Sequence, residues 1–350
     1  MEQRIIISRN IKSELAMAVA ECEHDHIFVL VDEVTREKCW SKICNEIILK
    51  DATLITIGAS DSHKNLDTIV EVWKSLCNNN ATRHSCIINI GGGMVTDLGG
   101  FAASTFKRGI DFINIPTTLL AMVDASVGGK TGINFAGLKN EIGVFNNARF
   151  VIIDTDFLKT LDENNICAGY AEMLKHAIIS SEQMWSDCLN FTLMQPDFNR
   201  LREMLALSIK VKENIVKQDP KEHGIRKALN FGHTFGHAME SWSLKTNKPL
   251  PHGYAVAYGM ICELYLSCVK MGFPTEKMRQ TVNFIKSNYG EMNFTCNDYD
   301  NLVKLMHHDK KNLGFKINFT LLEDVGKIKI NQSATDEEIK NALDFYREGE

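Results

Sequence analysis

INIGGGMVTDLGGFAAS, residues 88–104, decides how the first half of the chain is read. An apolar run, three consecutive glycines and then a helical pattern spell strand, tight turn and helix. Glycines at such a turn let the backbone approach a phosphate without side-chain clash. The helix behind them aims its free N–H groups and the positive end of its dipole at that phosphate. A turn that serves only packing is the competing reading. The stretch is not the G-x-G-x-x-G fingerprint, and it follows the third predicted strand instead of the first. A dinucleotide is therefore a candidate ligand by position, not by motif.

Working outward, HIFVLVD (26–32), ATLITIG (52–58), HSCIINI (84–90), FINIPTT (112–118) and FVIIDT (150–155) read as strands. Helical patterns such as LDTIVEVWKSLCNN separate the first three, which argues for a parallel sheet covered on both faces. Asp32, at the end of the first of these strands, is a candidate to bond a ribose hydroxyl; a strand-end turn residue is the plainer alternative. After about residue 160 long helical patterns take over, at 166–180, 199–218, 228–243, 253–271 and 275–288. VWKSLCNNNAT (72–82) and KTNKPLPHG (245–253) read as loops. Two domains are expected, an α/β Rossmann-like nucleotide-binding domain over 1–160 and an all-α metal- and substrate-binding domain over 161–350, with the active site in the cleft between them.

The 350 residues carry a net charge of −5, which gives no reason to expect nucleic acid or an anionic membrane as partner. An anionic ligand must meet local basic groups. The ten cysteines are scattered singly with no Cys-x-x-Cys, the first residues are too polar for a signal peptide, and no apolar run approaches the roughly 18 residues of a membrane span. The expectation is reduced thiols in a cytoplasm.

LNFGHTFGHAMES, residues 229–241, sets His233 and His237 four apart, on one helical face. AGYAEMLKHAII offers Glu172, Lys175 and His176, and PLPHGYAVAYGM offers His252 just before another helix. One carboxylate and two histidines with an open position make a catalytic zinc set. Spacing does not choose the trio: His176, His237, His307 and His308 all compete. Arg108, Lys130, Lys139, Asn140, Lys212, Arg226, Lys310 and Lys311 lie near the glycine or histidine segments. Several are embedded among small or apolar neighbours, where a small, multiply anionic substrate would explain them.

Taken together, residues 91–134, GLKNEIGVF, GYAEMLK, DPKEHGIRKALNFGHTFGHAMES, HGYAVAYGM and DKKN resemble the 3-dehydroquinate synthases of the sugar-phosphate cyclase superfamily, over about residues 26–330. The resemblance implies a homodimer that uses NAD and one divalent metal, zinc or cobalt. It implies Glu172, His233 and His252 as metal ligands, and makes His237 a substrate contact. NAD would meet Asp61, Ser62, His63, Lys64, Gly91, Gly92, Gly93, Met94, Val95, Thr96, Asp97, Thr117, Thr118, Lys130, Lys139, Phe157, Leu158, Lys159 and Thr160. The substrate would meet Asp124, Lys130, Asn140, Lys175, Lys212, Glu222, Arg226, Asn230, His237 and Lys310, with Arg108 a candidate to reach its phosphate from the neighbouring subunit. The chain departs from the family pattern at Gly58, Ala148 and Asp162, where proline is common, and at Asp61, Asn165, Pro220 and Tyr254, where glutamate is common.

The implied reaction converts 3-deoxy-D-arabino-heptulosonate 7-phosphate to 3-dehydroquinate and phosphate. It runs by transient oxidation at C5 by NAD, phosphate elimination, re-reduction and intramolecular aldol closure. Arg226 would grip the carboxylate; Lys130, Asn140, His237 and Lys310 would hold the phosphate; Lys175 and Lys212 would orient hydroxyls. Three rivals stand beside this reading. Another sugar-phosphate cyclase would use a substrate without the carboxylate that Arg226 suits. A metal-dependent polyol dehydrogenase would release NADH. A non-catalytic descendant would be expected to have lost ligand positions.

Overall fold

In the computed structural model, residues 3–246, 248–307 and 316–349 are described. Two compact units divide the chain, Met1–Asn165 and Ile166–Glu350.

Six parallel strands organise the first unit: β1 (Arg4–Ile7), β2 (Ile27–Asp32), β3 (Thr53–Ile57), β4 (Cys86–Gly91), β5 (Asp111–Pro116) and, beyond a hairpin, β8 (Phe150–Ile153), in the order β1-β8-β5-β4-β2-β3. The hairpin is β6 (Lys130–Phe135) with β7 (Leu138–Phe145). The helices are α1 (Ile11–Glu21), α2 (Glu33–Lys38), α3 (Leu66–Asn78) and α4 (Gly93–Thr105). β2, β4 and β8 are buried at every position, the signature of strands covered on both faces.

The five strands expected from apolar runs are all present. β1 was not expected: only four residues long and only partly buried, it gives a weak pattern. The hairpin was not expected either, because β7 is exposed at nearly every position and so has no apolar alternation to read. The loop expected over 72–82 is a correction, since α3 runs through it to Asn78.

The glycines of 88–104 have two separate jobs. Gly92 caps α4 with no side-chain hydrogen bond, so the first amides of that helix face outward. Further along, a Cβ on Gly99 would sit 1.9 Å from Asn89 Oδ1. Asn89 on β4 and Asn114 on β5 share a buried hydrogen bond of 2.9 Å beneath the helix. α4 therefore lies close on the sheet, with its uncapped end at the carboxyl ends of the strands.

The second unit is helical: α5 (Glu163–Ile178, entering from the first unit), α6 (Glu182–Leu189), α7 (Phe198–Gln218), α8 (His233–Ser243), α9 (His252–Met271), α10 (Thr275–Tyr289), α11 (Tyr299–His307) and α12 (Asp336–Glu348). A two-stranded hairpin, β9 (Phe319–Asp324) and β10 (Lys327–Gln332), adds to the all-helical expectation. The helix expected over 228–243 begins only at His233. Residues Ile225–Asn230 form a 3₁₀ turn, and Gly232 at φ +80° breaks the chain direction before α8.

α8 and α9 run antiparallel at backbone contact. A Cβ on Gly259 would fall 1.9 Å from Gly232 O and 2.7 Å from Gly236 N, and one on Gly236 would fall 2.8 Å from Ala255 O. Such a contact has no room for a methyl group. Gly259→Ala is expected to destabilise the fold by at least about 2 kcal/mol. A thermal melt unchanged from wild type would overturn the packing described here.

Candidate metal centre

Three side chains from three helices meet in the second unit. Glu172 sits on the buried face of α5, fully excluded from solvent. His233 is the first residue of α8 and His252 the first of α9. Glu172 Oε1 lies 3.5 Å from His233 Nε2 and 3.6 Å from His252 Nε2. These separations are longer than hydrogen bonds. They match the edge of a tetrahedron around an ion with bonds of about 2.1 Å, which is about 3.4 Å.

The outer atoms of each group are already committed. Glu172 Oε2 is paired with the Lys175 ammonium one turn along α5. His233 Nδ1 lies 3.1 Å from Phe231 O, and His252 Nδ1 lies 3.0 Å from Glu240 Oε2. With those acceptors each Nδ1 carries a proton, which leaves each Nε2 as the nitrogen whose lone pair an ion could take. Glu172 Oε1 is buried with no hydrogen-bond partner. Three lone pairs aimed at one point repel each other unless a cation or a proton lies among them, so the donor set fits a divalent ion.

The charges support the same conclusion. Burial works against the Glu172 charge, but Lys175 and His233 hold its carboxyl well below the usual carboxylate range. Burial also works against a charged His252, but Glu240 and then Glu172 raise its pKa to about 10. A proton on that ring is what a metal ion must displace.

His237 stands one turn along α8, its ring 5.3 Å from His233 and 5.8 Å from His252. Its ligand nitrogen lies within 4.8 Å of those of His233 and His252. Glu240 was not anticipated. It completes the series 233, 237, 240 on one stripe of α8, a spacing that could have revealed it. His176 Nδ1 lies 2.9 Å from Ser208 Oγ, and a ligand nitrogen of this residue is still within 4.8 Å of a Glu172 oxygen; His307 is 3.5 Å from Asp336. His308, Lys310 and Lys311 lie outside the described residues.

Other expected residues of this unit gather just before α8. Arg226 is buried at 2% exposure and donates from Nη1 to Pro220 O at 2.7 Å. Asn230 Nδ2 donates to Glu222 Oε1 at 2.7 Å, and Glu222 holds φ +62°. Asp219 accepts N–H groups from His223, Gly224 and Arg226, which shape this turn. Lys212 is buried on α7.

In the first unit, Lys64 Nζ is buried, 2.6 Å from Asp97 Oδ2 and bonded to Asn140 Oδ1. Lys139 pairs with Asp61 at 3.5 Å. Ser62 and His63 bond locally, to Ser60 Oγ and Ala59 O. Gly91 ends β4, Gly92 caps α4, and Gly93, Met94, Val95 and Thr96 form its first turn; a Cβ on Gly92 would meet Thr118 at 3.1 Å. Thr117 is buried and donates its N–H to Gly91 O at 2.9 Å. Phe157 and Leu158 are buried in a 3₁₀ turn, and Lys159 pairs with Asp156. Asp124 lies on a π-helical turn at Ala121–Ala125, and Lys130 opens β6. Asp32 caps α2, its Oδ1 accepting the Thr35 N–H at 2.7 Å, which is the strand-end reading for that oxygen.

The chain is similar to known proteins over nearly its whole length. The family model described as 3-dehydroquinate synthase N-terminal matches residues 54–168, and the one described as 3-dehydroquinate synthase C-terminal matches 169–312. A 3-dehydroquinate synthase of Parabacteroides distasonis is 51% identical over 347 residues, covering 99% of this chain and 98% of that protein. One of Campylobacter jejuni subsp. doylei is 35% identical, covering 98% and 99%. Among solved structures, the fold matches 2-epi-5-epi-valiolone synthase from Streptomyces hygroscopicus with NAD+ and Zn2+ bound, with a TM-score of 0.89 at 24% identity over 100% of this chain and 98% of that one. It also matches 2-deoxy-scyllo-inosose synthase complexed with carbaglucose-6-phosphate, NAD+ and Co2+, with a TM-score of 0.86 at 22% identity over 99% and 96%.

With His252 as a ligand, a proton on its ring would compete with an ion, and zinc affinity is then expected to fall about tenfold for each unit of pH lowered below that pKa. Chelator-competition titrations between pH 6 and 8 on the scale of about two units check it, and a flat profile would exclude the competition. Glu240→Gln is expected to weaken zinc about tenfold or more in the same titration, since the outer carboxylate orients His252 and raises its basicity.

Proposed function

The chain belongs to the 3-dehydroquinate synthase family, and on that premise we propose that it acts as a carbon–oxygen lyase, converting 3-deoxy-D-arabino-heptulosonate 7-phosphate to 3-dehydroquinate and phosphate. The observation that carries the proposal is the convergence of Glu172 Oε1 with the Nε2 atoms of His233 and His252. That donor set suits zinc, or cobalt in its place, and we assign the ion to these three residues. We assign NAD to the uncapped start of α4, through Gly91 to Asp97, with Asp61, Ser62, His63, Lys64, Thr117, Thr118, Lys130, Lys139 and Phe157 to Thr160 around it. The absence of a capping side chain at Gly92 supports this, because the first-turn amides suit a pyrophosphate. When bound, the two cofactors supply reversible oxidation at C5 and charge stabilisation at the adjacent hydroxyl oxygens.

The protein's own groups supply position. Arg226 is the candidate grip on the substrate carboxylate: its guanidinium is planar, always charged and held in place by Pro220 O. Lys175 and Lys212, both buried ammonium groups, are assigned to the hydroxyls, and His237 to the phosphate. Glu222 and Asn230, already bonded to each other, are assigned to orient the ring substituents. Asp124, Lys130 and Asn140 of the first unit are assigned to the substrate as well. Arg108 is exposed on a turn where Lys107, Arg108 and Gly109 all hold positive φ, at +47°, +73° and +113°. A strained, outward cation supports its assignment to the phosphate bound by a neighbouring copy in a homodimer. The ten cysteines form no disulfide, which supports the proposal of a cytoplasmic enzyme; among the described residues no helix is long and apolar enough to cross a membrane.

Phosphate release from the heptulosonate phosphate, with NAD far below substrate, tests the reaction. The expected result is one phosphate per substrate, no net NADH, and loss of turnover on chelation. NADH accumulating with turnover would point instead to a dehydrogenase, and turnover only on substrates without a carboxylate would point to another cyclase. Arg226→Lys is expected to lower kcat/KM by about 100-fold or more, since a point charge replaces a two-pronged grip. Unchanged kinetics would remove Arg226 from that role.

A further inference from the structure

An acid on α9 grips the turn that carries His233. Glu263 is fully buried and has no part in the assignments above. It lies at i+11 from His252, three turns along and on the same stripe of α9 that faces α8. Its Oε2 accepts the Gly232 N–H at 2.7 Å and its Oε1 the Thr234 N–H at 3.0 Å. Those two amides flank His233.

α8 needs that help. Its N-cap is Gly232, which has no side chain to cap with and holds a left-handed φ of +80°. A glycine there leaves the backbone before His233 with the widest conformational choice. Glu263 supplies the missing cap from another helix, with its charge at the positive end of the α8 dipole. Both of its oxygens are used, so it fixes the turn at two points. Glu240 does the reverse job, reaching from α8 to His252 at the start of α9.

We infer that Glu263 is a positioning residue of the metal centre: by holding the amides on either side of His233, it sets the angle at which that imidazole meets the ion. The inference rests on Glu172, His233 and His252 being the ligands. Each of the two histidine-bearing helices thus carries one acid that orients the other's histidine, Glu240 through the ring and Glu263 through the backbone.

The test uses metal-free full-length protein titrated with Co2+, read by its visible absorption bands, with Zn2+ affinity measured by competition. Glu263→Gln keeps the size of the side chain, and Thr234 Oγ1 still donates to Asn318 O at 3.0 Å, so the turn stays tethered. The expected result is affinity lowered about tenfold or more, with shifted cobalt bands, and partial recovery in Glu263→Asp, which keeps the charge. Wild-type affinity and bands accompanied only by a lower Tm would reduce Glu263 to a helix cap and overturn the inference. Should Glu263→Gln fail to fold, amide exchange in the metal-free wild-type chain decides. Slow exchange at Gly232 and Thr234 would support a preformed grip, and exchange as fast as at exposed amides would overturn it. A wild-type chain that takes up no cobalt would overturn the ligand assignment itself, and this inference with it.

Discussion

The backbone contact between α8 and α9 is the constraint on which the second unit depends. Gly232 faces Gly259, Gly236 faces Ala255, and one turn further Glu240 faces His252. Each step is four residues along one helix and about four back along the other, so the antiparallel pair keeps register over its whole contact. Because the helices touch without intervening side chains, the positions of their first residues are fixed relative to one another. Those first residues are His233 and His252. A larger residue at Gly259 would separate the helices and with them the two imidazoles.

Electrostatics then explains why so many charges are tolerated there. Glu172, Lys175, Glu240 and Glu263 are all nearly or wholly excluded from solvent. An isolated buried charge is costly, and each of these is instead engaged: Glu172 with Lys175, Glu240 with His252, Glu263 with two amides. Glu172 Oε1 is the exception, without a hydrogen bond and opposite the Nε2 atoms of two imidazoles. A divalent ion at that point would satisfy all three atoms at once. The outer hydrogen bonds to Phe231 O and Glu240 select which nitrogen of each ring is available to it.

Much of this was legible from residue order. β2, β4 and β8 are unbroken apolar runs because both their faces are covered, and such runs stand out. The turn into α4 was visible in three glycines. By contrast, β7 has no apolar face to show, and β1 is too short to carry a pattern. The start of α8 was misplaced because Ala228, Leu229 and Phe231 continue the apolar spacing of the helix, while the break at Gly232 depends on its contact with α9. Asp32 reads in sequence as a ribose contact, with a strand-end turn residue nearly as good a reading; its hydrogen bond to Thr35 commits one oxygen to the cap.

The sequence by itself determined that His233 and His237 share a helical face, since that follows from 3.6 residues per turn and from nothing else. It also determined a parallel sheet with a glycine turn at the third of its predicted strands. It could not choose the partners of His233, because Glu172, His176, His237, His252 and His307 were equally available by spacing. The tertiary structure gathers candidates that spacing leaves apart, Glu172 and His252 among them, with His237 within 4.8 Å of both other histidines. Ion ligation depends on atoms a few ångströms apart from segments distant in the chain, and only the crossing of α8, α9 and α5 brings Glu172 Oε1 within 3.5 and 3.6 Å of two imidazole nitrogens.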